Sequence, residues 1–130
     1  MTTAGLVCVT RAIGLTATDL AELGGVTDRT ARRWLTGFSL FPPEIVEALG
    51  ALMHDMETVK AKMVADALAS GVPIIRTYFT TAQLRAHMRD LPGRGKAAGF
   101  FAAAHQIAAL HAYHELLDVH GLQAELRFVD

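Results

Sequence analysis

The chain has one cysteine, Cys8, so no disulfide can close within it. Cys8 lies among apolar residues and is expected to pack as a small hydrophobe, in a reducing compartment. Net charge is nearly absent. Lys and Arg number 12 against 13 Asp and Glu, which leaves a formal charge of −1 and a pI near 6.6. That balance argues against a protein that holds nucleic acid by overall charge alone. Long apolar runs are missing too, although mean hydropathy is +0.29. The longest nearly uncharged stretch, Ala97–His114, is interrupted by His105, Gln106 and His111 and falls short of a membrane span. No basic segment followed by an apolar stretch and a cleavage site opens the sequence, so a cytoplasmic location is expected. No internal repeat and no low-complexity linker divides it.

What is present is a 130-residue chain, 52% hydrophobic, enough for one ordinary domain or two small ones sharing a helix. Its charges are unevenly placed. Residues 27–37 hold Arg29, Arg32 and Arg33 against one acid, Asp28. Residues 44–70 hold Glu44, Glu47, Asp55, Glu57 and Asp66 against Lys60 and Lys62. The acidity therefore sits away from the arginines.

Residues 4–13 carry Leu6, Val9 and Ile13 at helical spacing, and Gly14 ends that helix. Thr16 is an N-cap for a second helix, with Asp19 as the acidic partner of a capping box. Leu20, Ala21 and Leu23 face inward. Gly24 and Gly25 supply a sharp turn through positive φ, and Val26 packs in it. Thr27 caps a third helix over 28–36. At roughly 100° per residue, Ala31, Trp34 and Leu35 fall on one side of it. Arg29, Arg32, Arg33 and Thr36 fall on the other, and Gly37 follows as the C′ residue.

Pro42 and Pro43 open a long helix that ends near Ser70–Gly71. Its seam is Ile45, Leu49, Leu52, Met56, Val59 and Met63, alternating steps of four and three. Val46, Met53 and Val64 broaden the apolar face. The seam is suited to a helical core or to pairing with a second copy. Residues 72–78 form a β-branched strand. Thr80 or Thr81 caps a short helix over 82–91. Residues 91–95 are a Pro-Gly loop, 96–119 an alanine-rich helix stopped by Gly121, and 122–129 a second strand. In that strand Leu122, Ala124, Leu126 and Phe128 point one way, and the two strands can share one small sheet.

The spacing L-T-x-x-x-L-A-x-x-x-G-V-T-x-x-T-x-x-x-W-x-x-G is carried by Leu15, Thr16, Leu20, Ala21, Gly25, Val26, Thr27, Thr30, Trp34 and Gly37. It resembles the helix-turn-helix of the phage-repressor-like (Cro-like, XRE-like) superfamily of bacterial regulators. That superfamily often has a phosphate-contacting glutamine after the capping threonine, where this chain has Ala17. The following W-x-x-G-x-x-x-x-P-x-x-V-x-x-L pattern falls on Trp34, Gly37, Pro42, Ile45 or Val46, and Leu49. It looks like the small YdiL-like regulators and anti-CRISPR-associated autorepressors. The resemblance implies a mainly α fold with a small β component. A helix-turn-helix bundle and long connecting helix would occupy 1–70, and a β-α-α-β dimerisation domain 71–130.

The residues themselves point to DNA. A recognition helix enters the major groove with its N-terminal residues nearest the bases, and Asp28 and Arg29 hold that end. Arginine grips guanine O6 and N7 with two hydrogen bonds. Asp28 can accept from a cytosine amino group or orient Arg29. Thr30, Arg32, Arg33 and Thr36 follow, with at least one of these two arginines expected on phosphate. Thr16, Thr18 and Thr27 stand at helix starts, where hydroxyls and free N–H groups meet phosphates. Arginines on an exposed helix face are often only a solvated surface; the motif around these raises the DNA reading above that one. Trp34 shares its phase with Ala31 and Leu35 and is expected in the core.

Other chemistry is weakly marked. His111, His114 and Asp118 could line one side of a helix as metal ligands, but they lack a structural-zinc signature and read as ordinary polar or core residues. Gly93-Arg94-Gly95-Lys96 lacks the full phosphate-loop pattern. No nucleophile–base set or paired catalytic carboxylates are recognisable, so neither an enzyme nor a cofactor is expected. The expected partners are double-stranded operator DNA and a second copy of the chain. The dimer would read half-sites roughly 34 Å apart in an inverted repeat. The alternative is an antitoxin-like interaction module. Its C-terminal domain, with Phe100, Phe101 and Tyr113, would hold a protein partner while the N-terminal part serves autoregulation.

Overall fold

The computed structural model describes residues 2–88 and 101–129. It is mainly helical with a small two-stranded parallel sheet. In chain order the described elements are α1 (Thr3–Ala12), α2 (Ala17–Gly24), α3 (Asp28–Leu35), α4 (Pro43–Ala69), β1 (Ile74–Thr77), α5 (Thr81–Met88), α6 (Ala102–His120) and β2 (Glu125–Phe128). They form two compact units, Met1–Met53 and His54–Asp130, divided within α4.

In the first unit, Thr2 caps α1 by accepting from the Gly5 N–H at 3.1 Å. Leu6, Thr10, Ile13 and Leu15 are buried while Val9 is half-buried. Thr10 tolerates the core because its hydroxyl donates to the Leu6 carbonyl at 2.8 Å, leaving no orphaned polar atom. Cys8, expected to pack as a hydrophobe, is exposed. The β-branched density of α1 conceals which face turns inward.

The two turn glycines serve different ends. Gly25 lies at φ 65°, the left-handed region, and caps α2. Gly24 is still helical. A Cβ there would stand 2.8 Å from Ile45 Cδ1 and 3.3 Å from the Trp34 ring, so Gly24 is needed for space rather than for positive φ. Trp34 and Phe41 meet with ring centroids 6.0 Å apart, and Ile45, Leu49 and Leu52 of α4 complete the buried set.

In the second unit, Val64 and Ala67 of α4 cluster with Ile75 of β1, Ala109, Ala112 and Leu116 of α6, and Ala124. Alanines on α6 let a helix lie close to a sheet. The α4 seam from Ile45 through Val59 is buried by the chain itself, so those residues are not a surface left for a second copy. Val46 and Met53, expected to broaden that buried face, are partly exposed.

β1 and β2 pair in parallel, Ile74 opposite Glu125 and Thr77 opposite Phe128, with α5 and α6 between them in sequence. Parallel pairing needs such a crossover. Ile75 and Thr77 are buried and Arg76 is exposed. β2 departs from expectation. Ala124 before it is buried, but Leu126 is 41% and Phe128 54% exposed. Alternation identifies a strand's two faces but not whether anything covers them.

Thr80 caps α5, accepting from the Gln83 N–H while the Gln83 side chain accepts from the Thr80 N–H, both at 3.2 Å. Phe101 precedes α6 and Gly121 ends it at φ 63°. The expected loop at 91–95, the start of the alanine-rich helix at 96–100, and the end of the short helix at 89–91 lie outside the described residues. Among the described residues no single helix is long and apolar enough to cross a membrane.

Candidate nucleic-acid interface

α3 starts where the Thr27 side chain accepts from the Thr30 N–H at 3.2 Å. The two threonine hydroxyls also share a 3.1 Å hydrogen bond. This cap fixes the rotation of the helix, and burial fixes its inner face. Ala31 and Trp34 are buried and Leu35 half-buried. Arg29, Arg32 and Arg33 then have only one direction left, and all three are exposed.

With Thr36 and Phe38 these arginines line an open hollow of about 520 Å³. Arg32 Nε donates weakly to the Asp28 carbonyl at 3.4 Å, and Thr36 Oγ1 donates to the Arg32 carbonyl at 3.0 Å. Arg33 stacks its guanidinium 5.3 Å from the centre of the Phe38 ring. Among the described residues none of the three arginines forms an ion pair with an acid. Apart from Arg32 Nε, their N–H donors are left for other acceptors on an exposed face, a surface suited to anionic oxygens or to a guanine edge.

α2 stands beside this helix through a specific bond. The Thr18 hydroxyl donates to Asp28 Oδ2 at 2.9 Å, joining the first turns of α2 and α3. The sequence has Asp28 orienting Arg29 or accepting from a base; in the structure its side chain accepts from Thr18. Thr16 makes the full capping box. Its hydroxyl accepts from the Asp19 N–H and the Asp19 carboxylate accepts from the Thr16 N–H, each at 3.1 Å.

The expected site residues thus fall into three groups. Arg29, Arg32, Arg33 and Thr36 share the hollow. Thr18 with Asp28, and Thr27 with Thr30, are occupied in fixing the helices. Thr16 serves the start of α2, its hydroxyl oxygen accepting from the Asp19 N–H.

Two features escaped the sequence. Phe38, 77% exposed, flanks the arginines from the loop after α3; an aromatic just past Gly37 was its only sign. The Thr18–Asp28 bond crosses between elements and left no local pattern.

Elsewhere, His105 is buried with Nδ1 2.7 Å from the Thr77 hydroxyl and its ring edge-on to Tyr78. His111, His114 and Asp118 do not converge. Among the described residues no three His, Cys, Asp or Glu side chains are grouped to hold a metal ion. No protein-family model matches the chain, and no curated protein is similar to it in sequence.

Proposed function

We propose that this chain is a sequence-specific DNA-binding transcriptional regulator, a homodimeric autorepressor acting on DNA in the cytoplasm. In this reading α2 and α3 form a helix-turn-helix, and α3 enters the major groove of each half of an inverted-repeat operator. The observation that carries it is the division of α3. One face is anchored by buried Trp34, and the other presents Arg29, Arg32 and Arg33 unpaired by acids among the described residues. Arg29, in the first turn, reads a base edge. Arg32 and Arg33 take phosphates. Thr16, Thr18 and Thr27 sit at the helix starts that approach the backbone.

One such unit binds weakly, and Ala17 offers no phosphate contact from the first turn of α2. Two copies held together act at high effective concentration on adjacent half-sites. The experiment is selection of bound sequences from random duplex DNA by the full chain, followed by the Arg29→Ala variant. The expected outcome is an enriched inverted repeat with half-sites roughly 34 Å apart. Arg29→Ala should lose about 1–3 kcal/mol of discrimination at one base pair, with its helical content unchanged. A variant that keeps full preference would remove Arg29 from the reading role. Failure to enrich any sequence would overturn the proposed function.

A further inference from the structure

A sheet of two four-residue strands is smaller than one that stands by itself in water. α6 packs against it, yet every residue of β2 is exposed. The ladder also shows where its free backbone groups point. The Glu125 N–H donates to the Pro73 carbonyl at 3.0 Å and the Val129 N–H to the Thr77 carbonyl at 2.8 Å. In a parallel pair alternate residues bond the same neighbour, so Glu125, Arg127 and Val129 turn toward β1. Ala124, Leu126 and Phe128 turn their N–H and C=O groups outward. Among the described residues nothing pairs with that edge.

We propose that β2 pairs antiparallel with β2 of a second copy of this chain, about a two-fold axis at Leu126. The proposal gives the dimer of the preceding subsection a place; it does not require the chain to bind DNA. The choice of occupant rests on charge. In this register Leu126 faces Leu126 of the other copy, and Ala124 faces Phe128, each pair exchanging backbone hydrogen bonds. Glu125 of each copy faces Arg127 of the other, in the non-hydrogen-bonded position where Cα atoms approach to about 4.5 Å.

The neighbouring symmetric registers fail. Centring on Glu125 sets carboxylate against carboxylate, and centring on Arg127 sets guanidinium against guanidinium. β1 has a single charge, Arg76, and nothing opposite in sign to match it. Within one chain Glu125 and Arg127 already bond each other at 2.8 and 3.0 Å, so the four charges can close into one network without leaving water.

The surroundings of the edge are apolar. Leu126 and Phe128 border a hollow of about 190 Å³ with Gln106 and Ala109 of α6. The ring of Phe79 stands edge-on to Phe128, and both are more than half exposed. Leu110 and Leu117 continue the line of Gln106 along α6 at helical spacing and are 44% and 38% exposed. A second copy would cover these side chains as its strand completes a four-stranded sheet, removing the bare edge.

The test is sedimentation of the full chain without DNA. Wild type should be a dimer. Glu125→Arg and Arg127→Glu should each weaken self-association about tenfold or more, by setting like charges opposite across the axis. Mixing the two variants in equal amounts should restore a dimer, because Arg at 125 and 127 of one copy then meets Glu at 127 and 125 of the other. The double variant Glu125→Arg/Arg127→Glu restores both pairs within a single species, and decides the matter if either single variant folds poorly. A monomeric wild type, single variants that dimerise like wild type, or a mixture and double variant that both stay monomeric would overturn the proposal. Charge-dependent dimers that select no DNA would overturn the proposed function and leave this interface standing.

Discussion

The two units differ in how their helices pack and in what α3 and α6 turn outward. The first fills its core with large side chains, Trp34, Phe41, Leu49 and Leu52, and turns charge outward on α3. The second sets a row of small ones, Ala104, Ala108, Ala109 and Ala112 of α6, beside buried Phe101, Ile75, Leu84 and Leu116, and leaves Leu110, Leu126 and Phe128 partly uncovered. Even so, the first unit is not polar all round, since Phe38 and Leu40 stand exposed just after α3. A helix that lies close through alanines needs little bulk; on α6 Leu116 is buried while Leu110 and Leu117 are left partly exposed. An exposed charged face and an exposed apolar face call for different partners, an anion for one and another protein surface for the other.

The sharpest way to break the contrast is Trp34→Ala. Removing a buried indole should cost about 3–5 kcal/mol. Amide hydrogen exchange should show the loss across α2 and α3, with α6 still protected. Equal loss in both units would mean that they are not held separately.

A smaller effect is expected from Thr77→Val, which removes the buried hydroxyl that bonds His105 Nδ1. Roughly 2 kcal/mol should be lost in chemical denaturation, confined to the second unit, with Thr77→Ser retaining most of it.

The smallest effect is alkaline. Burial raises the Tyr78 phenol above 10.0. The hydrogen bond that Lys60 donates to Glu115 is the main cause raising its ammonium above 10.5, with Glu57 adding to it. Both groups hold their protons more tightly in the folded state. Their contribution is therefore complete below pH 10.0 and declines as pH rises through the folded values. Far-ultraviolet melts should show a lower midpoint at pH 11 than at pH 9.

The same contrast explains what the sequence disclosed. Caps are local, so Thr16 with Asp19, and Thr27 before Asp28, mark α2 and α3 without any knowledge of packing. Arginine against tryptophan gives α3 two distinct faces, and the exposed side was legible residue by residue. α6 lacks such contrast, since alanine suits either face; only the structure singles out Leu110 and Leu117 as outward. Gly24 looked like a partner to Gly25 in the turn because its reason, the nearness of Ile45 and Trp34, is remote in sequence. Leu126 and Phe128 alternate like core residues because alternation carries no information about a strand's place in a sheet. At the candidate site, the arginines were legible and their supports were not. Thr18–Asp28 and Arg33–Phe38 each join an element to something beyond it.

Cys8, solvent-facing on α1 and the only thiol in the chain, gives the protein a single natural labelling site. A nitroxide attached there marks each copy once, with no substitution elsewhere. In a two-fold assembly the pair of labels yields a single separation, whereas an isolated chain yields none. Pulsed electron resonance can therefore follow the spacing between two copies through a salt or DNA titration using the natural sequence.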